Sequence, residues 1–119
     1  MFLYGGSIPL GTQFKGTPIL VHGLHGIFIS SGAIIGEGVT IFHQVTIGSI
    51  KTKGAKRMGS PIIGNNVLIG AGAKVLGGIT IGNNVKIGAN CVVIDDIPDD
   101  ATVVLNKPRI IVQSETAIG

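Results

Sequence analysis

Aliphatic side chains return every sixth residue along much of this chain. From Ile63 the run reads Ile63, Ile69, Val75, Ile81, Ile87 and Val93, with Gly after the first, second, fourth and fifth. A strand sends alternate residues to one face, so aliphatics six apart share that face with small or β-branched residues two before most of them, at Val67, Ala73, Ile79, Val85 and Cys91. Each unit reads as a short strand and a turn. Three units make one coil of a parallel β-helix, in which every strand hydrogen-bonds to the coils on either side. The order also returns at 18 residues: Ile63-Gly64-Asn65-Asn66-Val67 recurs as Ile81-Gly82-Asn83-Asn84-Val85, and Ile69-Gly70-Ala71-Gly72-Ala73 as Ile87-Gly88-Ala89-Asn90-Cys91. Gly and Asn fall where a tight corner needs a positive φ.

Earlier runs keep the period in other phases, as Ile8, Phe14 and Leu20, then Ile29, Ile35, Ile41 and Ile47. The slips between runs locate departures from the coil. Leu20 to Ile29 spans nine residues, three more than one unit, which predicts a small bulge around residues 21–28. Ile47 to Ile63 spans sixteen, so about ten residues leave as a loop near residues 49–61. The expected fold is all-β, a parallel β-helix of thirteen hexads or a little over four coils over about residues 8–96, with a carboxy-terminal tail at 97–119. At about 4.8 Å between stacked strands, such a prism is roughly 20 Å tall.

A chain of 119 residues accommodates one such domain and no second. Its 20 glycines sit at periodic corners, which argues against a low-complexity reading. No 18-residue apolar run is present, so no membrane span is expected. Met1 to Leu10 lacks the basic start and apolar core of a signal peptide, which makes the cytoplasm the expected location. Cys91 falls on an inward position, as a buried small hydrophobe. The net charge of +3 is concentrated, because Lys51, Lys53, Lys56 and Arg57 all lie in the loop with no acid among them. Without interleaved aromatics or a spread basic face, those cations do not read as a nucleic-acid surface. They fit either a mobile solvated loop or one that closes over an anionic, phosphate-bearing ligand. A single thin prism buries a modest core, and a flat strand-rich side invites association with copies of itself. A closed homotrimer is the natural expectation for a three-sided column.

Candidate chemistry is sparse. His22 and His43 each lie two residues after an inward aliphatic, Leu20 and Ile41, which occupy the same edge of adjacent coils, so their backbones are expected to stack. His25 lies on the bulge. Three histidines on a β-helix raise a metal reading, because enzymes of the γ-carbonic anhydrase type hold zinc with three imidazoles on such a coil. That family includes a close pair of ligands late in the helix, whereas no histidine follows His43 here, and no metal is expected.

The bulge string HGLHGIFIS (His22 to Ser30), the run VTIFHQVTIGS at residues 39–49, IGAGAKVLG (Ile69 to Gly77) after the loop, and the ending Asn106-Lys107-Pro108-Arg109-Ile110-Ile111 together resemble the serine acetyltransferases, a branch of the hexapeptide-repeat acyltransferases. The resemblance covers residues 8–111 and implies that the coil winds left-handed. It also implies an acetyl-CoA-dependent O-acetyltransferase, with direct transfer to a small acceptor in a site between neighbouring subunits of a trimer. His22 matches the histidine that strips the proton from the acceptor hydroxyl. Imidazole suits both halves of that task, as a base toward the hydroxyl and, once protonated, as an acid toward the departing thiolate. The cofactor's pantetheine arm implies Ala71 and Ala89, one coil apart, with Gly48 at the root of the loop, while Lys107 and Arg109 suit its phosphates. His43, and Ser60 just before the loop's closing Pro61, are the substrate-binding candidates.

Departures from the family pattern bear on the acceptor. Ser7 stands where an Asp would pair with the catalytic histidine, Val21 where an Asp precedes it, and Gly59-Ser60 where an Arg-His pair precedes the loop's closing Pro. The Asp95-Asp96 and Asp99-Asp100 pairs lie beyond the hexad phase and read as a solvated turn rather than as replacements. The family's helical amino-terminal domain has no counterpart before Ile8, so a hexamer built by it is not expected. The bulge is one residue longer than in the serine enzymes, similar to relatives of surface-polysaccharide pathways. L-Serine and a sugar hydroxyl both remain as acceptors. A catalytically silent binding or scaffold subunit is the alternative, ahead of a metal-dependent enzyme of the γ-carbonic anhydrase type.

Overall fold

Isoleucine, valine and alanine at the inward positions build a single apolar column, from Ile27 to Val93, with Ile8, Phe14, Leu20, Ile97 and Val103 packed against it. The computed structural model describes residues 2–3, 6–9 and 11–113, and among these no polar or charged residue is buried. In chain order the strands are β1 (Phe2–Leu3), β2 (Gly6–Ser7), β3 (Gln13–Phe14), β4 (Ile19–Leu20), β5 (Phe28–Ile29), β6 (Ile34–Ile35), β7 (Thr40–Ile41), β8 (Thr46–Gly48), β9 (Ile62–Ile63), β10 (Leu68–Ile69), β11 (Lys74–Leu76), β12 (Thr80–Ile81), β13 (Lys86–Ile87), β14 (Val92–Val93) and β15 (Thr102–Val103). They are dealt in rotation to three faces. The first face carries β1-β2-β5-β8-β11-β14, the second β3-β6-β9-β12 and the third β4-β7-β10-β13-β15. All pairings are parallel except that of β1 with β2. Among the described residues no helix is long and apolar enough to cross a membrane.

Register on the third face measures each departure from the ideal coil. Leu20 pairs with Ile41, Ile41 with Ile69, Ile69 with Ile87 and Ile87 with Val103, at separations of 21, 28, 18 and 16 residues. The first is one coil plus the three-residue bulge, the second one coil plus the ten-residue loop, and the third an ideal coil. The fourth corrects the expectation that the coil ends near residue 96. A turn two residues short carries the chain onward, Ile97 bridges Ile81 on the second face, and β15 adds a further strand to the third. The shortened turn shifts the inward positions to Ile97 and Val103 and breaks the six-residue phase that would have revealed them.

The corners follow backbone chemistry. Asn66, Asn84 and Asn90 adopt positive φ of 57°, 58° and 61°, as expected of Asn, and Gln44 does so at 56° in a role where no Gln was anticipated. At the corner between the second and third faces, carboxamides form a ladder from coil to coil. The amide of Glu37 donates to Oδ1 of Asn65 at 2.9 Å, that of Asn65 to Oδ1 of Asn83 at 2.8 Å, and that of Asn83 to Oδ1 of Asp99 at 2.7 Å. Asp99 and Asp100 are therefore exposed, as expected, yet they also terminate this ladder, with Asn84 Nδ2 donating to Asp100 Oδ1 at 3.1 Å.

The loop leaves the corner between the first and second faces. Ile50 and Gly59 close it with reciprocal backbone hydrogen bonds of 2.9 and 2.8 Å, and it folds back so that Gly78 N donates to the Arg57 carbonyl at 2.8 Å. Arg57 reaches Asp95 at 3.6 Å and Asp96 at 3.4 Å, while Lys51, Lys53 and Lys56 stay exposed.

Candidate functional site

The corner between the third and first faces gathers half of the expected site. After β4 the chain makes a six-residue turn over residues 21–26, with Gly23 and Gly26 at φ of 65° and 64°. Leu24 anchors this turn from inside, at 7% exposure, and Leu24 O accepts from Ile27 N at 3.2 Å. His22 and His25 are thereby carried outward, both exposed. One coil on, the turn is shorter: His43 is half-buried and Gln44 N donates to the carbonyl of His25 at 2.8 Å. The stack continues as Gly72 N donates to the His43 carbonyl at 3.0 Å and Asn90 N to the Ala71 carbonyl at 2.9 Å. His43, Ala71 and Ala89 each precede the left-handed residue of their corner, so they form one row along the edge, with the histidine bulge at its head.

The two histidines that stand on adjacent coils in the sequence meet through their side chains. Their ring centroids are 5.0 Å apart with planes at 78°, an edge-to-face arrangement, and the ring of Phe42 stands 6.2 Å from His22. Nδ1 of His43 is buried without a hydrogen-bond partner. Lys74 adds a cation to the same corner, its Nζ donating to the carbonyl of Gly72 at 3.1 Å. Neither Phe42 nor Lys74 was singled out from the sequence. The register of Val21 on Ile41, one coil below Phe42, is the signal that would have placed the aromatic ring beside the bulge.

Gly48 and Ser60 lie elsewhere. Gly48 ends β8 and pairs with Leu76 at the corner between the first and second faces, where the loop departs. Ser60 belongs to the same corner, since a Cβ added to Gly32 would stand 2.5 Å from its Oγ. The first face therefore separates these two from His22 within one subunit. Lys107 and Arg109 follow β15 in an exposed tail. The tail leaves from the histidine corner, because Gly88 N donates to the Val103 carbonyl there.

Small residues keep that edge open for an extended ligand. Gly70 is so closely stacked that a Cβ would stand 2.7 Å from Ala89 N, and Ala71 and Ala89 present only methyl groups beside it. The described carboxylates lie on other corners. Glu37, Asp99 and Asp100 are between the second and third faces, and Asp95 and Asp96 are at the loop with Arg57. Among the described residues no three His, Cys, Asp or Glu side chains gather as a metal ion would require.

Comparison with known proteins adds a family. Residues 60–95 match the model described as bacterial transferase hexapeptide, six repeats. The chain is 43% identical over 97 residues to the putative colanic acid biosynthesis acetyltransferase WcaB of Escherichia coli, covering 82% of this chain and 58% of that protein. It is 42% identical over 104 residues to the serine acetyltransferase of Mycobacterium tuberculosis, covering 87% and 44%. Thus the chain spans about half the length of these relatives. Among solved structures, serine acetyltransferase isoform 3 of Entamoeba histolytica, in complex with cysteine, matches with a TM-score of 0.77 at 40% identity, over 95% of this chain and 39% of that one. The Neisseria gonorrhoeae serine acetyltransferase matches with a TM-score of 0.75 at 36% identity, over 96% and 44%. The left-handed winding implied by the sequence resemblance is the winding of this superposed coil.

Proposed function

We propose that this chain, similar over its coils to serine acetyltransferases and to a colanic acid biosynthesis acetyltransferase, transfers an acetyl group from acetyl-CoA to a sugar hydroxyl, with His22 as general base. The observation that carries this reading is the row at the histidine corner: an exposed imidazole at its head, then His43, Ala71 and Ala89 one coil at a time. In the reaction, His22 takes the hydroxyl proton as the oxygen attacks the thioester carbon. A C–O bond forms, the C–S bond breaks, and the protonated imidazole returns the proton to the departing thiolate. His43, whose ring lies 5.0 Å from that of His22, is the candidate to meet the acceptor beside it.

A sugar is favoured over L-serine because of where the charges lie. An amino acid brings an ammonium group that needs a carboxylate partner once water is excluded. Of the described carboxylates, Asp95 and Asp96 on the loop edge are paired with Arg57, and Glu37, Asp99 and Asp100 lie on the remaining edge, whereas the histidine corner carries imidazoles, an aromatic ring and Lys74. Such a corner suits an uncharged polyol, and the similarity to a colanic acid biosynthesis acetyltransferase supports the same class.

Gly48 and Ser60, on the far edge of the first face, fit a homotrimer in which each active site joins the histidine edge of one subunit to the loop edge of its neighbour. Acetyl-CoA as donor makes the cytoplasm the place of action. The decisive experiment follows thiol release from acetyl-CoA with L-serine and with a panel of sugars and nucleotide sugars. Release with a sugar, abolished in His22→Ala, is the expected result. A silent binding subunit would release no thiol with any acceptor.

A further inference from the structure

The family's device for orienting its catalytic imidazole is a carboxylate, and neither place that would supply it does so here, since Ser7 and Val21 occupy them. The structure puts another group at the task. His43 presents a buried Nδ1 that has no hydrogen-bond partner, and its ring centroid lies 5.0 Å from that of His22. Two imidazoles joined by an N–H···N bond of about 3 Å have centroids on the order of 5 Å apart, so the rings already stand at the separation of such a bond. His22 is exposed and free to rotate about its side-chain bonds, while His43 is half-buried beneath it. A buried acceptor left unmade is costly, which gives the pair a reason to close.

We propose that His43 is the positioning residue for His22, accepting one ring N–H of His22 at Nδ1 and so holding the other ring nitrogen, with its lone pair, toward the acceptor hydroxyl. This rests on the reading of His22 as the base. For Nδ1 to accept, His43 carries its own proton on Nε2, so the pair is neutral at rest with one proton on each ring. When His22 takes the hydroxyl proton, its bond to His43 becomes charge-assisted and stronger, which favours the transition state over the resting state. No charge other than that proton enters, in contrast to a carboxylate, which would add a negative charge beside the acceptor.

The test compares His43→Phe, which keeps a ring of similar shape without an acceptor, with His43→Asn, whose amide oxygen stands about where Nδ1 does. The proposal expects His43→Phe to lower kcat about 10²-fold with KM for acetyl-CoA unchanged, and His43→Asn to recover to within about tenfold of the parent. Nitrogen-15 shifts of the His22 ring provide a readout independent of turnover. The parent and His43→Asn should show one dominant tautomer, and His43→Phe a mixture. Equal tautomer populations in all three proteins, or full kcat in His43→Phe, would overturn it. Should the parent release no thiol with any acceptor, the base assignment fails instead, and the tautomer comparison still decides whether His43 orients His22.

Discussion

Arg57 and Asp96, 39 residues apart in the chain, meet at 3.4 Å where the loop folds onto the last coils. Asp96 serves two masters there, since its other oxygen accepts the backbone N–H of Thr80 at 2.8 Å. Asp95, with a side chain 70% exposed, touches Arg57 alone at 3.6 Å. An exposed ion pair contributes about 0–1 kcal/mol, whereas losing the partner of a backbone donor adds about 1 kcal/mol more. Asp96→Ala should therefore lower Tm by several degrees and Asp95→Ala hardly at all. The same contact holds the loop, so Arg57→Ala should speed tryptic cleavage at Lys51, Lys53 and Lys56. Identical melting curves for the two aspartate variants would show that the Thr80 contact contributes nothing.

Gly72 and Asn90 stack at the histidine corner, both with positive φ, of 72° and 61°. A Cβ on Gly72 would collide with Oδ1 of Asn90. Gly72→Ala thus carries both a backbone cost of about 1–2 kcal/mol and a steric one. Asn90→Gly should be nearly neutral. Combined, the two substitutions should cost less than their sum, because the second removes the atom that the first strikes. Chemical denaturation of the four proteins measures this directly, and strict additivity would rule out the collision.

Cys91 reports on the end of the coil. Its side chain is 2% exposed and Sγ lies 3.8 Å from the Val103 carbonyl. Val103→Asp should loosen β15 and accelerate labelling of Cys91 by a soluble disulfide reagent, with the earlier coils intact by circular dichroism. Unchanged labelling would mean that β15 does not shield the thiol.

Removing the imidazole of His22 in His22→Ala should reduce turnover by about 10²–10⁴-fold, the range ascribed to a positioned general base. Acetyl-CoA affinity should persist, because the small-residue row is untouched. Metal chelation should leave the rate of the parent protein unchanged, and a rate that collapses with chelator would favour the metal-dependent reading.

Much of the column is legible in the spacing of its aliphatics. Ile29, Ile35, Ile41 and Ile47, and the run from Ile63 to Val93, are buried as their period requires, and the slips of three and ten residues match the bulge and the loop. The adjacency of His22 and His43 follows from the same counting through Leu20 and Ile41. Ile97 and Val103 escaped it because a turn two residues short leaves no period to follow. Gln44 escaped as a left-handed corner because its side chain carries no signal for one.

What the sequence determines by itself is whatever repeats. An inward aliphatic every six residues dictates a three-sided coil, since each strand must bury one face and pair on both edges. Contacts across unequal separations were decided only in three dimensions. Arg57 finds Asp95 and Asp96 because the loop folds back along a corner, and no periodicity encodes the direction of that fold. Likewise His22 and His43 share an edge by register, but their edge-to-face contact and the buried Nδ1 depend on how the bulge, pinned by Leu24, tips one ring over the other. Gly48, expected along the cofactor groove, and Ser60, expected to meet the substrate, lie together on another edge from His22, because the three-sided cross-section puts the first face between them.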